Sequence, residues 1–433
     1  MLTAAFSFAL VSTLQAPSKL ENPFDLKKNE MLAGNPLAVY IEMVRLEKAY
    51  DADLAMRGTY WQARGTYAAY MGDTVEADKD WNLVINDLPS PNVFKSSPLE
   101  GYRPEDAVAA IARAARKHRW VMVGEEHLKP QTRTILPDLL RTLRKQGFRT
   151  LAVETLRAGE PLAATQRTGT VTYSTGGYTA DPVFAAGIRE AVRLGYRLVP
   201  YEAEEPPKET SPGDPYFAMN FRETVQAQHL KERIFDKDPT AKVLVWAGRA
   251  HVSEVPETIE EGRLWTPMAC VFKRLTGEDP LSIYTGTYAE QAERRFERPL
   301  YRWATDHGLV KRPTVFVRSD GKAYGDVFDM QIFWPRTTWI ESRPDWLLRE
   351  LGRRLSPIPT TLVRDTGLQL AQAFHEGEPA TAVPIDQVII RPDAPVPSFM
   401  LPKKGRFWIR VLDKDGKENG RLGGTLGRAS CGE

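Results

Sequence analysis

Four stretches of this 433-residue chain place acidic, imidazole or guanidinium side chains where an apolar run stops. In WVMVGEEHL the run ends at Gly124, and Glu125, Glu126 and His127 follow at once. FRTLAVE ends in Glu154, YRLVPYEAE carries Glu202, and VLVWAGRAHV carries Arg249 and His251. Carboxylates and imidazoles at the ends of buried runs are costly to desolvate unless they are paired, hold a metal or do chemistry. Two of the four ends share the format Gly-x-x-His, Gly124 to His127 and Gly248 to His251. A glycine there is expected to let the chain turn off a strand, so that the histidine points back over the sheet edge. With 31 glycines and 6 histidines in 433 positions, chance gives about 0.4 such pairs, so the weight lies in two matches, each after an apolar run.

Each residue also has a plain structural reading. Glu126 can be a solvated loop carboxylate, Glu154 one half of a salt bridge, and His127 and His251 hydrogen-bonded structural histidines. Arg133 either clamps an anionic substrate group or sits on a polar helix face. Glu204 and Glu205, in EAEEPPKE, read as a solvated charged loop.

The elements that must position these residues alternate. WVMVG, FRTLAVE, YRLVPYEAE, AKVLVWAG and LSIYTGTY read as strands; RPEDAVAAIARAARKH, QTRTILPDLLRTLRKQG, DPVFAAGIREAVRLG, NFRETVQAQHLKERIF and TPMACVFKRLTG read as helices. Pro137 kinks the second helix or marks a later start. Continuous apolar strands between helices imply an α/β fold, a mostly parallel sheet covered by helices on both faces. In such sheets ligands bind beyond the carboxyl ends of the strands, where the charged residues fall.

Around this core, residues 30–85 are expected to form an N-terminal helical region and 100–295 the α/β domain. Residues 296–433 read as a mixed α+β extension, with hairpin signals at Asp320-Gly321 and Asp415-Gly416, a helix over RPDWLLRELGRRL, and Trp334, Trp339 and Trp346 as packing anchors. MLTAAFSFALVSTLQA resembles the apolar core of a signal peptide, which points to export, to a periplasm or outside the cell, with a cytoplasmic location as the alternative. No segment reads as transmembrane. A net charge of +2 gives no electrostatic case for nucleic acid. The two cysteines, Cys270 and Cys431, lack metal-ligand spacing and read as separate thiols.

Two strand-end Gly-x-x-His motifs with an intervening strand-end glutamate resemble the superfamily of erythromycin esterases, TraB/Tiki proteins and ChaN-like haem-binding proteins. VMVGEEHLKPQTRTILPDLLRTLRKQGFRTLAVE is most similar to the ChaN branch, and VWAGRAHV resembles the second histidine motif of the ChaN and esterase branches. The resemblance covers about Pro104 to Tyr288. It implies a site built on His127, Glu154 and His251 with Glu125 or Glu126 beside them. Its branches imply metal-dependent proteolysis, lactone opening by a histidine base, or haem binding. Erythromycin esterases have one more residue between the first glutamate and its histidine, a departure that counts against macrolide hydrolysis.

The resulting expectation is a hydrolase of an ester, lactone or peptide, acting on a small-molecule or peptide substrate. His127 with Glu126 or Glu154 activates water, and His251 or Arg133 steadies the oxyanion. Zinc or manganese on His127, Glu154 and His251 is one version, with Glu125 and Glu202 as further binding residues. A haem- or iron-binding envelope protein, with Tyr173, Tyr178 or Tyr201 near the pocket, is the alternative, and a non-catalytic assembly role the third. The residues leave the oligomeric state open.

Overall fold

The structure, a computed structural model, describes residues 20–85, 94, 97–203, 215–259, 262–364 and 367–424. The signal-like segment, Glu204, Glu205 and Cys431 lie outside them; Cys270 is a free thiol. No helix among the described residues is long and apolar enough to cross a membrane.

After a short helix at Lys28–Leu32 come three longer ones: α1 (Pro36–Ala52), α2 (Arg57–Tyr70) and α3 (Thr74–Ile85). Arg64 of α2 is buried between them, donating to Asp80 from Nε (2.8 Å) and Nη2 (2.6 Å). The main sheet follows, interleaved with helices: β1 (Tyr102–Asp106), α4 (Ala107–Ala114), β2 (Trp120–Glu125), α5 (Leu136–Arg144), β3 (Thr150–Val153), α6 (Glu160–Thr168), α7 (Pro182–Arg193), β4 (Arg197–Pro200), α8 (Pro215–Leu230), β5 (Val243–Gly248), α9 (Met268–Thr276), β6 (Leu281–Tyr288), α10 (Pro299–Asp306), β7 (Thr314–Arg318) and β8 (Met330–Phe333). Its order is β1-β7-β8-β6-β2-β5-β3-β4. The six strands from β8 to β4 run parallel, and β7 and β1 close the far edge antiparallel.

Successive side chains of a strand enter opposite layers. Val121 and Val123 pack with Ile111, Leu136 and Ile188 of α4, α5 and α7. Trp120 and Met122 pack on the other face with Leu230 of α8 and Phe272 of α9. Helices thus cover both faces, and every residue of β2 and β5 is buried. After β4 the chain returns to insert β5 between β2 and β3, then crosses to the other side of β2 with β6. That reversal sets Glu125 directly beside Gly248 in register.

Three expectations are corrected. Arg103-Pro-Glu-Asp106 is not the first turn of a helix but the edge strand β1; proline, which cannot donate to a ladder, is tolerated at an edge, and Asp106 instead caps α4 through Ala109 N (3.0 Å). The sheet does not stop at 295, because β7 and β8 belong to it. RPDWLLRELGRRL is helical only over Trp346–Arg349, since Gly352 takes φ +61° and the chain then becomes a strand. Pro137 sits in the first turn of α5, marking its start.

The remainder forms a two-stranded ribbon, β9 (Arg353–Ser356) with β12 (Phe399–Pro402). It also forms an antiparallel sheet in the order β11 (Asp386–Ile390), β10 (Gln369–His375), β13 (Phe407–Leu412), β14 (Glu418–Gly424). Trp334 and Trp346 are buried, whereas Trp339 is 45% exposed. One apolar cluster runs from Leu37 and Tyr60 through Leu136 and Leu151 to Leu370 and Ile389, so these regions share a core.

Candidate functional site

Glu125 is the last residue of β2 and has 2% of its surface exposed. Its Oε2 accepts from Arg133 Nε (2.6 Å) and Trp246 Nε1 (2.9 Å). Its Oε1 accepts from Arg133 Nη2 (2.7 Å) and lies 2.8 Å from His127 Nδ1. Burial alone would raise the Glu125 pKa, but the Arg133 guanidinium overrides it and holds the group at about 2. An ionised carboxylate only accepts, so the His127 proton sits on Nδ1 and the Nε2 lone pair is left open. Tyr178 stacks on the imidazole at 3.7 Å between centroids, fixing the ring plane.

Nε2 faces β5. A side chain begun at position 248 would start 2.9 Å from His127 Nε2 and 3.3 Å from Glu154 Oε2. Gly248 has φ −66° and ψ 157°, a conformation open to any residue. Glycine is required here for space rather than for the sharp turn expected from the sequence. Gly124 is likewise absent from the positive-φ glycines, and a Cβ there would meet Val252 Cγ2 at 2.7 Å.

Glu154 follows β3 and is buried. Its Oε1 accepts from Arg222 Nη2 (2.6 Å) and lies 3.3 Å from His251 Nε2; its Oε2 accepts from the Gly248 N–H. Burial opposes its charge, yet His251 and Arg222 hold it ionised, well below the usual carboxylate range. His251 places Nδ1 2.8 Å from Glu223 Oε1. Burial disfavours its cation, but Glu223 and Glu154 raise its pKa to about 10, so it is an imidazolium at neutral pH.

The sequence-predicted residues are therefore sorted. Glu125, His127, Arg133, Glu154 and His251 come together. Arg133 is fully buried, with Nη1 on Asp181 Oδ2 (2.6 Å) and Nη2 on the His127 carbonyl (3.0 Å), so it neither clamps substrate nor lies on a polar face. It is the counter-ion that positions Glu125. His251 has both nitrogens engaged by carboxylates and is no oxyanion donor. Glu202 is joined to the cluster through Arg222, which donates to it from Nε (3.0 Å) and Nη2 (2.6 Å), and it also accepts from Gln226 (2.9 Å). Glu126 is not a solvated loop residue. It is buried and accepts from Tyr284 OH (3.1 Å), and desolvation raises its pKa against the pull of His127, Arg249 and Lys129.

Among the described residues no three His, Cys, Asp or Glu side chains are grouped to hold a metal ion. The expected donors are engaged by groups of opposite charge: Glu154 by Arg222 and His251, and His251 by its two carboxylates. This set does not fit zinc or manganese, which need their lone pairs free. Nor does it fit haem, since the open nitrogen of His127 faces Glu154 and the Gly248 backbone rather than an apolar slot.

Sequence reading missed Arg222, Glu223, Asp181 and Trp246. Arg222 and Glu223 are an adjacent pair on α8, which resembles any solvated helix face; Asp181 is visible only as the cap of α7, where it accepts from Val183 N (3.0 Å).

No protein-family model and no curated protein matches the chain. Among solved structures, the type III effector HopBA1 is similar over 47% of this chain and 96% of its own, at 16% identity and a TM-score of 0.31. RRSP, a MARTX toxin effector domain from Vibrio vulnificus, is similar over 58% of this chain and 55% of its own, at 14% identity and a TM-score of 0.31. The C-terminal region of Pasteurella multocida toxin, described with a thiol-protease-like catalytic triad, is similar over 90% of this chain and 58% of that one, at 10% identity and a TM-score of 0.29. The matches to RRSP and the Pasteurella toxin thus span little more than half of those chains.

Proposed function

We propose that the protein is a hydrolase whose general base is His127. The observation that carries the reading is the relay from Arg133 through Glu125 to His127 Nδ1, which sets the Nε2 lone pair over Gly248 and beside Glu154. A water reaching His127 Nε2 would meet a second acceptor beside it, the ionised Glu154 Oε2, which also accepts from the Gly248 N–H. Glu154 orients the water and His127 takes its proton as the oxygen attacks an acyl carbon. The proton on Nε2 is then available to the leaving group. Glu126, its pKa raised by burial, accepts from Tyr284 OH close to the imidazole. Arg222 and His251 keep Glu154 charged without touching substrate.

The resemblance of the two Gly-x-x-His stretches to the erythromycin esterase, Tiki and ChaN superfamily supports the same reading, since a histidine base belongs to its esterase branch. An ester, a lactone or a peptide bond would serve as substrate, and the signal-like N-terminus favours an exported protein. The test is a panel of chromogenic esters, lactones and peptides, with wild type and His127→Gln, each with and without chelator. Turnover that resists chelation and falls at least ~100-fold in the variant is the expected result. Turnover abolished by chelation, or equal in the two proteins, would overturn the proposal. A haem absorption band in the purified protein, lost in His127→Gln, would favour the haem-binding alternative.

A further inference from the structure

Behind the site lies a small cavity at the meeting point of the N-terminal helices, the start of α7 and the C-terminal sheets. Tyr70, Gly72, Asp181, Val183, Arg343 and Asp386 contribute to its wall. Arg343 is 1% exposed. Its Nη2 donates to Asp386 Oδ1 (2.5 Å), but its Nε and Nη1 are buried without a hydrogen-bond partner. An unsatisfied buried donor costs about 1–3 kcal/mol, and more on a charged group, so an orphaned edge of a guanidinium calls for an occupant.

The chemistry of the wall selects it. Asp386 gives its other oxygen to Met400 N (2.6 Å), and Asp181 gives one oxygen to Arg133 and one to Val183 N. A second buried arginine, Arg353, lies close enough to Asp386 to feel its charge and donates to Met400 O at 3.4 Å. The unmet side-chain groups of this wall are thus both donors, and both belong to a cation. Asp386 and Asp181 already face arginines and backbone N–H donors, so the Nε–Nη1 edge of Arg343 is the group left to receive an occupant, and an anion needs only donors. The cavity volume of about 20 Å³ takes one or two water-sized occupants and is too small for phosphate, sulfate or an organic acid. Gly72, at φ +74°, keeps the space open, since a Cβ there would start 2.6 Å from Arg343 Nη1.

We propose that this cavity binds a small monovalent anion, a chloride or bromide, on the Nε–Nη1 edge of Arg343. The ion would join the N-terminal helices to the C-terminal sheet beside Pro182, next in sequence to Asp181, which holds Arg133. The test compares thermal unfolding of the full chain in sodium gluconate, chloride and bromide at constant ionic strength, together with crystals grown in bromide. Chloride or bromide at tenfold excess over Kd should raise Tm by about 2 °C, a gain absent in Arg343→Met, and bromide should give an anomalous peak within hydrogen-bonding distance of Arg343. Should Arg343→Met fail to fold, the bromide peak in wild type decides. Equal Tm in gluconate and chloride, or water alone beside Arg343 in bromide crystals, would overturn the inference.

Discussion

The imidazolium of His251 makes alkaline pH a probe of the site. Its pKa rises from 6.5 to about 10 because Glu223 and Glu154 flank it. A group whose folded pKa is raised contributes stability that is full below the unfolded pKa and is lost as pH climbs through the folded one. At about 1.4 kcal/mol per pH unit, the rise corresponds to at most about 5 kcal/mol, lost between pH 6.5 and about 10. Replacing His251 with Gln removes the cation and leaves two buried carboxylates facing each other, so near neutral pH the variant should be several kcal/mol less stable. The assay is urea unfolding of both proteins at steps from about pH 7 to 10.5. Lysines and tyrosines that titrate there are common to both and cancel in the difference. The gap between wild type and His251→Gln should shrink steadily as pH rises. A gap that stays constant across this range would refute the charged assignment of His251, and with it one of the two cations that hold Glu154 ionised.

Other consequences follow from single contacts. Gly248→Ala places a methyl 2.9 Å from His127 Nε2. The methyl displaces the pinned imidazole, so turnover should fall about 100-fold or more, with overpacking costing about 1–3 kcal/mol in unfolding; a loss of stability without a loss of turnover would point to a purely structural glycine. Arg133→Met breaks a buried pair and strands Glu125 and Asp181, which should cost about 3–5 kcal/mol in denaturant unfolding; a loss below 1 kcal/mol would contradict the buried counter-ion role. Glu125 has its pKa lowered to about 2, so its contribution is present above the unfolded value near 4.5 and is lost as pH falls toward 2. Acid unfolding of wild type should therefore be steeper than that of Arg133→Met, which lacks the cation that depresses this carboxyl.

The sheet was legible because its chemistry is local. Apolar runs of four to eight residues, each followed by a helical stretch, admit few arrangements other than a covered parallel sheet. Polar residues at the strand ends then converge on one edge: Glu125, Glu154 and His251 are brought together by strand order alone. Their partners were not legible. Arg222 and Glu223 lie about 70 residues from Glu154 on a helix whose charges look like solvent-facing ones, and only the passage of α8 over the strand ends makes them buried counter-ions. The edge strand β1 was misread for a related reason. Arg-Pro-Glu-Asp has the composition of a helix start, and its pairing partner, β7, lies some 200 residues further along. The role of Gly248 was half visible: the motif showed that glycine was special, while the reason, clearance for an imidazole from the neighbouring strand, depends on register.

The protonation pattern of the histidines tests the central claim without a substrate. Nitrogen NMR of protein labelled in its six histidines, with His127→Gln and His251→Gln for assignment, reads which ring nitrogen carries hydrogen. At about pH 8 His127 should carry its hydrogen on Nδ1 with a bare Nε2, and His251 should be protonated on both nitrogens. A His127 ring carrying its hydrogen on Nε2 would contradict the account, because the atom assigned to accept the proton from water would already be occupied.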